Sequence, residues 1–161
     1  MVPPPLRRCA PSPLRALVLI AGCLAFAACT VQRPSGPTPS AAETGQRLFE
    51  NYCASCHQYD GQGMGDAPPL ENAVFVAGPA SRLIRIILGG VAGRMEIQGV
   101  VYDREMPGFG AVLSDSEVAT LATFIRRRFA GLDDPIRPEA VAQWRNPNRT
   151  SYWSVDELLA P

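Results

Sequence analysis

Hydrophobic side chains recur at helical spacing in three stretches of the chain, separated by loops rich in glycine and proline. The first stretch, AETGQRLFENYC at 42–53, places Leu48, Phe49 and Tyr52 on one side of a helix. The second stretch, SRLIRIILGG at 81–90, is an apolar helix that two glycines end. Both patterns therefore predict helices with a buried face.

The third stretch, from Ser114 to Phe129, has the strongest helical pattern. Ser114 and Glu117 form a capping box, the Ser-x-x-Glu arrangement that satisfies the first backbone amides of a helix. Three arginines at 126–128 complement the negative end of the helix dipole, and we expect them to be solvated. One face of this predicted helix carries the apolar residues Val118, Leu121, Ala122, Ile125 and Phe129.

The loops between these helices show no alternation of apolar and polar residues, so no strand is predicted in them. Residues 43–132 therefore predict an all-α domain. Its apolar residues are few, and a small domain buries a limited share of its surface. Long loops that avoid regular structure are typical of a domain that wraps a bound group.

The amino end has the pattern of a secretory signal. Three arginines in the first fifteen residues precede ALVLIAGCLAFAA at 16–28. This apolar run is shorter than the ~20 residues that a membrane-spanning helix needs. It ends in Phe-Ala-Ala-Cys, which resembles the bacterial lipobox and predicts removal of residues 1–28 and lipidation of Cys29. The alternatives are cleavage after Ala27, a second box ending at Cys23, and an amino-terminal anchor that is never cleaved.

Two segments flank the predicted domain. Residues 29–42 are rich in proline, serine and threonine and suit an extended tether. Residues 133–161 form a carboxyl-terminal extension with three aromatic residues, Trp144, Tyr152 and Trp153. The extension either wraps the domain's own surface or fits a groove on a partner.

Composition narrows the function classes. The formal net charge is zero, so no nucleic-acid partner is expected. All fifteen basic residues counted in that charge are arginines, and the sequence has no lysine. Three of the five cysteines lie in the first 29 residues. The two that remain, Cys53 and Cys56, are one local pair and no disulfide framework.

The pair stands in the run CASCH, where His57 is the sequence's single histidine. The spacing C-x-x-C-H is the attachment signature of a c-type haem. On a helical turn, both thiols reach the porphyrin edge while the imidazole binds iron. A ligating histidine binds as the neutral ring, and its second nitrogen needs a carbonyl to orient it. GDAPPL at 65–70 offers rigid prolines that present such a carbonyl.

The opposite face of the iron needs a ligand, and since no second histidine exists, the methionines are the candidates. Met106 lies in the loop YDREMPGFG, among turn residues of the kind that often carry function. Met95 is the fallback, and Met64 is too near His57 in sequence.

Three other chemistries use two cysteines. A thioredoxin-like pair or a copper chaperone would need a βαβ pattern, which the sequence lacks. A zinc site would need a fourth ligand. A plain disulfide would leave His57 and Met106 unexplained.

The order of motifs across residues 43–132 resembles class I cytochrome c: G-x-x-L-F before CASCH, then DGQG, PPL, MPGF and a capped terminal helix. In particular it is similar to the single-haem modules that partner bacterial periplasmic alcohol and aldehyde dehydrogenases. The resemblance implies three to five short helices around one covalently bound haem c. It assigns thioethers to Cys53 and Cys56, the proximal ligand to His57, the distal ligand to Met106, a backbone carbonyl to Pro68 (or Pro69) and haem contact to Leu70. It also implies that Gly45 and Phe49 cross the last helix near Leu121 and Phe124. Tyr102 and Arg104 are candidates for contacts to the haem propionates.

Ligation by His57 and Met106 would fill both axial positions and raise the reduction potential. The resemblance therefore implies a periplasmic one-electron carrier and no enzyme, with a dehydrogenase as donor and an oxidase or another cytochrome as respiratory acceptor. A lipid anchor would hold it at the membrane. The alternatives are a non-catalytic haem subunit of a fixed dehydrogenase complex, or a haem protein that reacts with gases or peroxide.

Overall fold

The computed structural model describes residues 39–160. The predicted signal peptide, Cys29 and most of the predicted tether lie outside these residues. Among the helices of residues 39–160, none combines the length and the apolar character needed to cross a bilayer.

Helices predominate in the described chain, as the sequence predicts. The three long helices lie within one residue of the predicted stretches, and four further helices are single turns of four or five residues. These short turns raise the number above the three to five expected. The helices are α1 Ala41–Tyr52, α2 Ala54–His57, α3 Val74–Ala77, α4 Ala80–Gly89, α5 Asp115–Ala130, α6 Pro138–Ala142 and α7 Val155–Leu159.

Capping boxes set where α1 and α5 begin. The predicted box at Ser114 and Glu117 is present at the start of α5. A second box, which the sequence analysis missed, joins Ser40 to Glu43 at the start of α1. Because this box starts the helix at Ala41, the last two residues assigned to the tether belong to α1.

Four short strands interrupt the loops, where no strand was predicted. They are β1 Val91–Ala92, β2 Met95–Ile97, β3 Val100–Tyr102 and β4 Trp153–Ser154. β2 and β3 pair as an antiparallel hairpin, while β1 and β4 pair in parallel with Val91 opposite Trp153. Strands of two or three residues are too short to show an alternating pattern.

Helices α1 and α5 cross at Gly45, as the resemblance implied. A Cβ atom at Gly45 would lie 2.6 Å from Cβ of Phe124 and 3.0 Å from the carbonyl oxygen of Thr120. The Phe49 ring packs 5.8 Å from that of Phe124 and 5.2 Å from that of Phe129. Only glycine allows the two helices to approach this closely.

The residues after α5 are part of the fold. Val141 of α6 and Leu158 of α7 are fully buried, and both join the hydrophobic core built from the long helices. Full burial of such side chains stabilises a fold by about 1.5–3 kcal/mol each. The described part of the extension, residues 133–160, therefore wraps the domain's own surface, and we call it the tail.

Arg126 corrects one expectation. Of the three arginines predicted to be solvated, Arg127 and Arg128 are exposed, but Arg126 is only 5% exposed. Its guanidinium donates to the carbonyls of Val76 and Gly78, at 2.9 and 2.6 Å, and to the carboxylate of Asp134 at 3.1 Å. The reason is its position on α5, one turn after a fully buried alanine, which places it on the core-facing side of the helix.

Candidate functional site

A cavity lies in the interior, between the long helices and the loops. Its wall is apolar, as in most cofactor and small-molecule sites. Five of the six residues that the resemblance assigns to the haem line it together: Cys53, His57, Pro68, Leu70 and Met106.

Cys53 directly precedes helix α2 and Cys56 lies within it, and this helix continues α1 after a break at Cys53. The Cys53 amide donates to the Phe49 carbonyl at 2.8 Å, and the His57 amide donates to the Cys53 carbonyl at 2.9 Å. Cys53 is buried against the cavity, while Cys56 is exposed at its outer rim, and the two form no disulfide. Burial raises the pKa of the Cys53 thiol to about 12, so the side chain is neutral at physiological pH.

His57 is held in one orientation. Its side chain is 7% exposed, and Nδ1 lies 3.0 Å from the carbonyl oxygen of Pro68. Because a carbonyl only accepts, Nδ1 must donate, which leaves Nε2 of the neutral ring with a free lone pair. Burial lowers the pKa of His57, while the bond to Pro68 opposes that shift. The neutral ring, the form that binds metals, is therefore favoured.

A tight turn brings Pro68 to His57. Gly63 has φ +77°, and a Cβ atom there would lie 2.2 Å from the Ala67 carbonyl oxygen and 2.8 Å from that of Pro68. The Gly63 amide donates to the His57 carbonyl at 3.0 Å, which closes the turn. Of the two prolines named from the sequence, Pro68 presents the carbonyl and Pro69 lines the cavity. We call residues 53–70 the His57 segment.

Met106 begins a loop, residues 106–113, that we call the Met106 loop. The Met106 amide donates to the Val91 carbonyl at 2.9 Å, and the Val91 amide donates back to Met106 at 3.0 Å. Glycines permit this close pairing. A Cβ atom at Gly90, where φ is +72°, would lie 2.3 Å from the Met106 carbonyl oxygen, and one at Gly108 would lie 2.6 Å from the carbonyl carbon of Gly89. The main chain of Met106 is therefore fixed beside the cavity.

The other described methionines differ in position. Met95 on β2 is 8% exposed and lines the same cavity as Met106. Met64 is 61% exposed and lies at the outer rim. The cavity wall therefore carries two thioether sulfurs, from Met95 and Met106.

Sequence reasoning missed much of the apolar wall. Leu83, Ile86 and Ile87 of α4 line the cavity, and so do Phe75 and Phe109. Apolar residues on more than one side of α4 were the available signal, since a helix that only faces a core shows a narrower stripe.

The two propionate candidates lie at the outer rim. Tyr102 and Arg104 share this rim with Cys56 and Met106. The Arg104 guanidinium pairs with the Asp66 carboxylate at 3.0 Å, and both side chains are largely exposed.

The donors around the cavity suit a haem. Proteins hold a c-type haem by two thiols one helical turn apart, an imidazole nitrogen and often a thioether sulfur, in an apolar interior. The cavity offers all of these: its wall is apolar, Nε2 of its imidazole is free, and its thioether stands on a fixed main chain. The residues present therefore fit this group.

Comparison with known proteins agrees with this reading. Residues 42–128 match the sequence model of the family described as Cytochrome c. Cytochrome c-552 of Thermus thermophilus is 40% identical over 78 residues, which are 45% of this chain and 59% of that protein. The fructose dehydrogenase cytochrome subunit of Gluconobacter japonicus is 32% identical over 121 residues, 70% of this chain and 24% of that subunit. The gluconate 2-dehydrogenase cytochrome c subunit of Pantoea cypripedii is 34% identical over 91 residues, 53% of this chain and 20% of that subunit. The chain thus spans little more than half of the first relative and about a quarter or less of the other two.

Proposed function

The chain belongs to the cytochrome c family, and from this premise we propose that it is a one-electron carrier whose haem iron is ligated by His57 and Met106. Its cofactor is a covalently bound c-type haem, and it transfers electrons without catalysing a reaction of its own. We assign the two thioethers to Cys53 and Cys56. Pro68 orients His57 through its carbonyl, and Leu70 lies against the haem.

The observation that carries the proposal is that His57 and Met106 line one apolar cavity with their main chains fixed. A bound haem supplies an iron that gains or loses one electron. The Pro68 carbonyl holds Nδ1 of His57 and leaves Nε2 free, and Val91 keeps the Met106 main chain in place. Neither of these contacts changes with the charge on the iron, so little has to move when an electron arrives or leaves.

The ligand assignment is tested by Met106→His. The oxidised wild-type protein is expected to show the weak sulfur–iron charge-transfer band near the red end of the visible spectrum. Met106→His is expected to lose this band and to lower the reduction potential by a measurable part of the ~0.8 V range that axial ligands span.

Met95→Leu is the matched control, because Met95 lines the same cavity. This variant is expected to keep the band. A band that survives in Met106→His and disappears in Met95→Leu would assign the sulfur ligand to Met95 instead.

Electron exchange with redox proteins follows from the family and from the relatives, two of which are named as cytochrome subunits of dehydrogenases and a third as a dehydrogenase subunit. We propose a dehydrogenase as electron donor and an oxidase or another cytochrome as the respiratory acceptor. A fixed subunit of a dehydrogenase complex is the second candidate, favoured by the names of those relatives. The carrier is preferred because the tail, the expected docking piece of such a subunit, buries Val141 and Leu158 in this domain's own core.

We also propose that the protein is exported to the bacterial periplasm and anchored there by a lipid on Cys29, with residues 29–40, before α1, as tether. The signal pattern and the lipobox-like Phe-Ala-Ala-Cys support this. Cys29→Ser is expected to move the protein from the membrane fraction to the soluble fraction, as followed by haem staining. Cys23→Ser, at the alternative box, is expected to leave it on the membrane. Membrane retention of Cys29→Ser would contradict the anchor.

A further inference from the structure

We propose that Arg145 and the tail strand are positioning elements for Met106, so that the tail sets how firmly the sulfur ligand is held. This inference rests on the proposed function, in which Met106 ligates the haem iron. Its basis is a set of contacts that join the tail to the Met106 loop and to the strand beside it.

The first contact is a shared strand. Val91 uses both its amide and its carbonyl to pair with Met106. On the other edge of the same strand, β4 of the tail pairs with β1, and the Trp153 amide donates to the Gly90 carbonyl at 3.2 Å. Met106 and Trp153 therefore flank one strand, which cannot shift toward or away from Met106 without breaking its pairing with the tail.

The second contact is Arg145, three residues after the end of α6. Its Nη1 donates to the Gly110 carbonyl, and its Nη2 donates to the Leu113 carbonyl at 2.8 Å. Its Nε pairs with the Asp115 carboxylate at 2.5 Å. The planar guanidinium makes these bonds in fixed directions, and bonds to a charged donor are stronger than neutral ones. One side chain of the tail thus ties two carbonyls of the Met106 loop to the start of α5.

The Met106 loop is held from its other side by α4. The Phe109 amide donates to the Ile87 carbonyl at 2.7 Å, and the Gly110 amide donates to the Leu88 carbonyl at 3.0 Å. Gly110 is therefore bonded to α4 through its amide and to Arg145 through its carbonyl. Without Arg145 this residue would lose one of its two anchors.

The tail itself is fixed on α4 by stacked aromatic and guanidinium groups. Arg85 of α4 lies 4.9 Å from the Trp144 ring and 5.0 Å from the Trp153 ring, and Arg149 lies 3.5 Å from Trp153. In such cation–π contacts the positive guanidinium is attracted to the negative face of the ring. Arg145 is the next residue after Trp144, so this stack also fixes the position of the Arg145 main chain.

Binding of free imidazole to the oxidised haem protein measures how readily the sulfur is displaced. Arg145→Ala is expected to bind imidazole at least about tenfold more tightly than the wild type, a change that corresponds to about 1.4 kcal/mol. Arg145→Lys keeps the positive charge but lacks the planar guanidinium, and its imidazole affinity is expected to lie between those of the wild type and Arg145→Ala.

Arg127→Ala is the matched control. Arg127 also pairs with the tail, through Asp133, but both side chains are exposed and neither contacts the Met106 loop. Its imidazole affinity is expected to equal that of the wild type. If Arg145→Ala lowers the melting temperature but leaves imidazole affinity unchanged, Arg145 is structural only and the inference is wrong.

The sulfur–iron band separates this inference from the proposed function. A wild-type protein without the band would refute Met106 as ligand, whatever Arg145→Ala does. A wild-type protein with the band, together with unchanged imidazole affinity in Arg145→Ala, refutes only the inference. Should Arg145→Ala not accumulate, Trp153→Ala keeps Arg145 and loosens the tail, and it is expected to raise imidazole affinity as well. Unchanged affinity in this variant is equally a refutation.

Discussion

The His57 segment and the Met106 loop reach the same cavity by different routes. The bond that orients His57 comes from Pro68, eleven residues along the chain. The Met106 loop depends on Val91 before it and on Arg145 after it, the latter 35 residues from its partner Gly110. Closing a longer loop costs more chain entropy. His57 is therefore oriented by contacts within its own segment. Met106, the second proposed ligand, is fixed only when distant parts of the chain have assembled around it.

The two regions share one structural feature: a glycine with positive φ packs closely against a main-chain carbonyl of the site. Gly63 lies under the Pro68 carbonyl that accepts from His57, and Gly90 lies under the Met106 carbonyl. In both places a Cβ atom would fall within 3 Å of that oxygen. Substitution at each glycine is therefore a way to disturb one region without the other.

The largest expected effect comes from Gly63→Ala and Gly90→Ala. Each combines a strained backbone angle with a clash against main chain, and each is expected to lower the free energy of unfolding by about 3 kcal/mol or more in denaturant titrations. Gly90→Ala is also expected to lose the sulfur–iron band. Gly63→Ala is expected to keep that band but to shift the reduction potential, since the carbonyl that orients His57 moves.

Gly65→Ala and Gly99→Ala are the matched controls for these two variants. Both glycines have positive φ but no atom near the position of a Cβ. Each control is therefore expected to show only the cost of the left-handed conformation, about 1–2 kcal/mol. Loss of the band in Gly63→Ala, or its retention in Gly90→Ala, would show that the two regions are not independent.

The smallest expected effect is a loss of stability of the folded tail at acidic pH. Hydrogen bonds with the backbone and then the side chain of Ser154, with a further contribution from Arg149, lower the pKa of Glu157 below its ordinary value of 4.5. The folded tail is thus favoured by the ionised carboxylate. Its contribution is complete above pH 4.5 and is lost as the pH falls through the lower folded pKa.

Tryptophan fluorescence measures this response, since both tryptophans of the sequence, Trp144 and Trp153, lie in the tail. In the wild type, the emission is expected to change as the pH falls below 4.5. In Glu157→Gln, this pH-dependent change is expected to be absent. Glu43→Gln is the control, because Glu43 makes the same kind of box on α1. Identical pH curves for the two variants would contradict a response of the tail alone.

The difference between the two regions also explains what the sequence could predict. The His57 segment is contained in one local motif, so Cys53, Cys56, His57 and Pro68 could be named from the sequence alone. Met106 could be named from its turn residues, but not the groups that fix it. Val91 belongs to a two-residue strand without a pattern, and Arg145 has no sequence feature that separates it from the other arginines.

The same limit applies to the rest of the fold. Helix α5 was predicted to within one residue of each end because its capping box and apolar face are local features. The burial of Arg126 was missed because its partners, the carbonyls of Val76 and Gly78, lie 50 and 48 residues away. Periodicity identifies a buried face, but it does not show which distant polar groups need a donor there.

The single histidine has a consequence for how the oxidised protein refolds. In a denatured haem protein, the iron that has lost its sulfur ligand can capture any imidazole or side-chain amine of the unfolded chain, and the wrong bond must break before folding finishes. This sequence has one histidine, already adjacent to the attachment site, and no lysine. No side-chain nitrogen of those two kinds is left over to form such a trap, so the return of the thioether does not wait for one to dissociate.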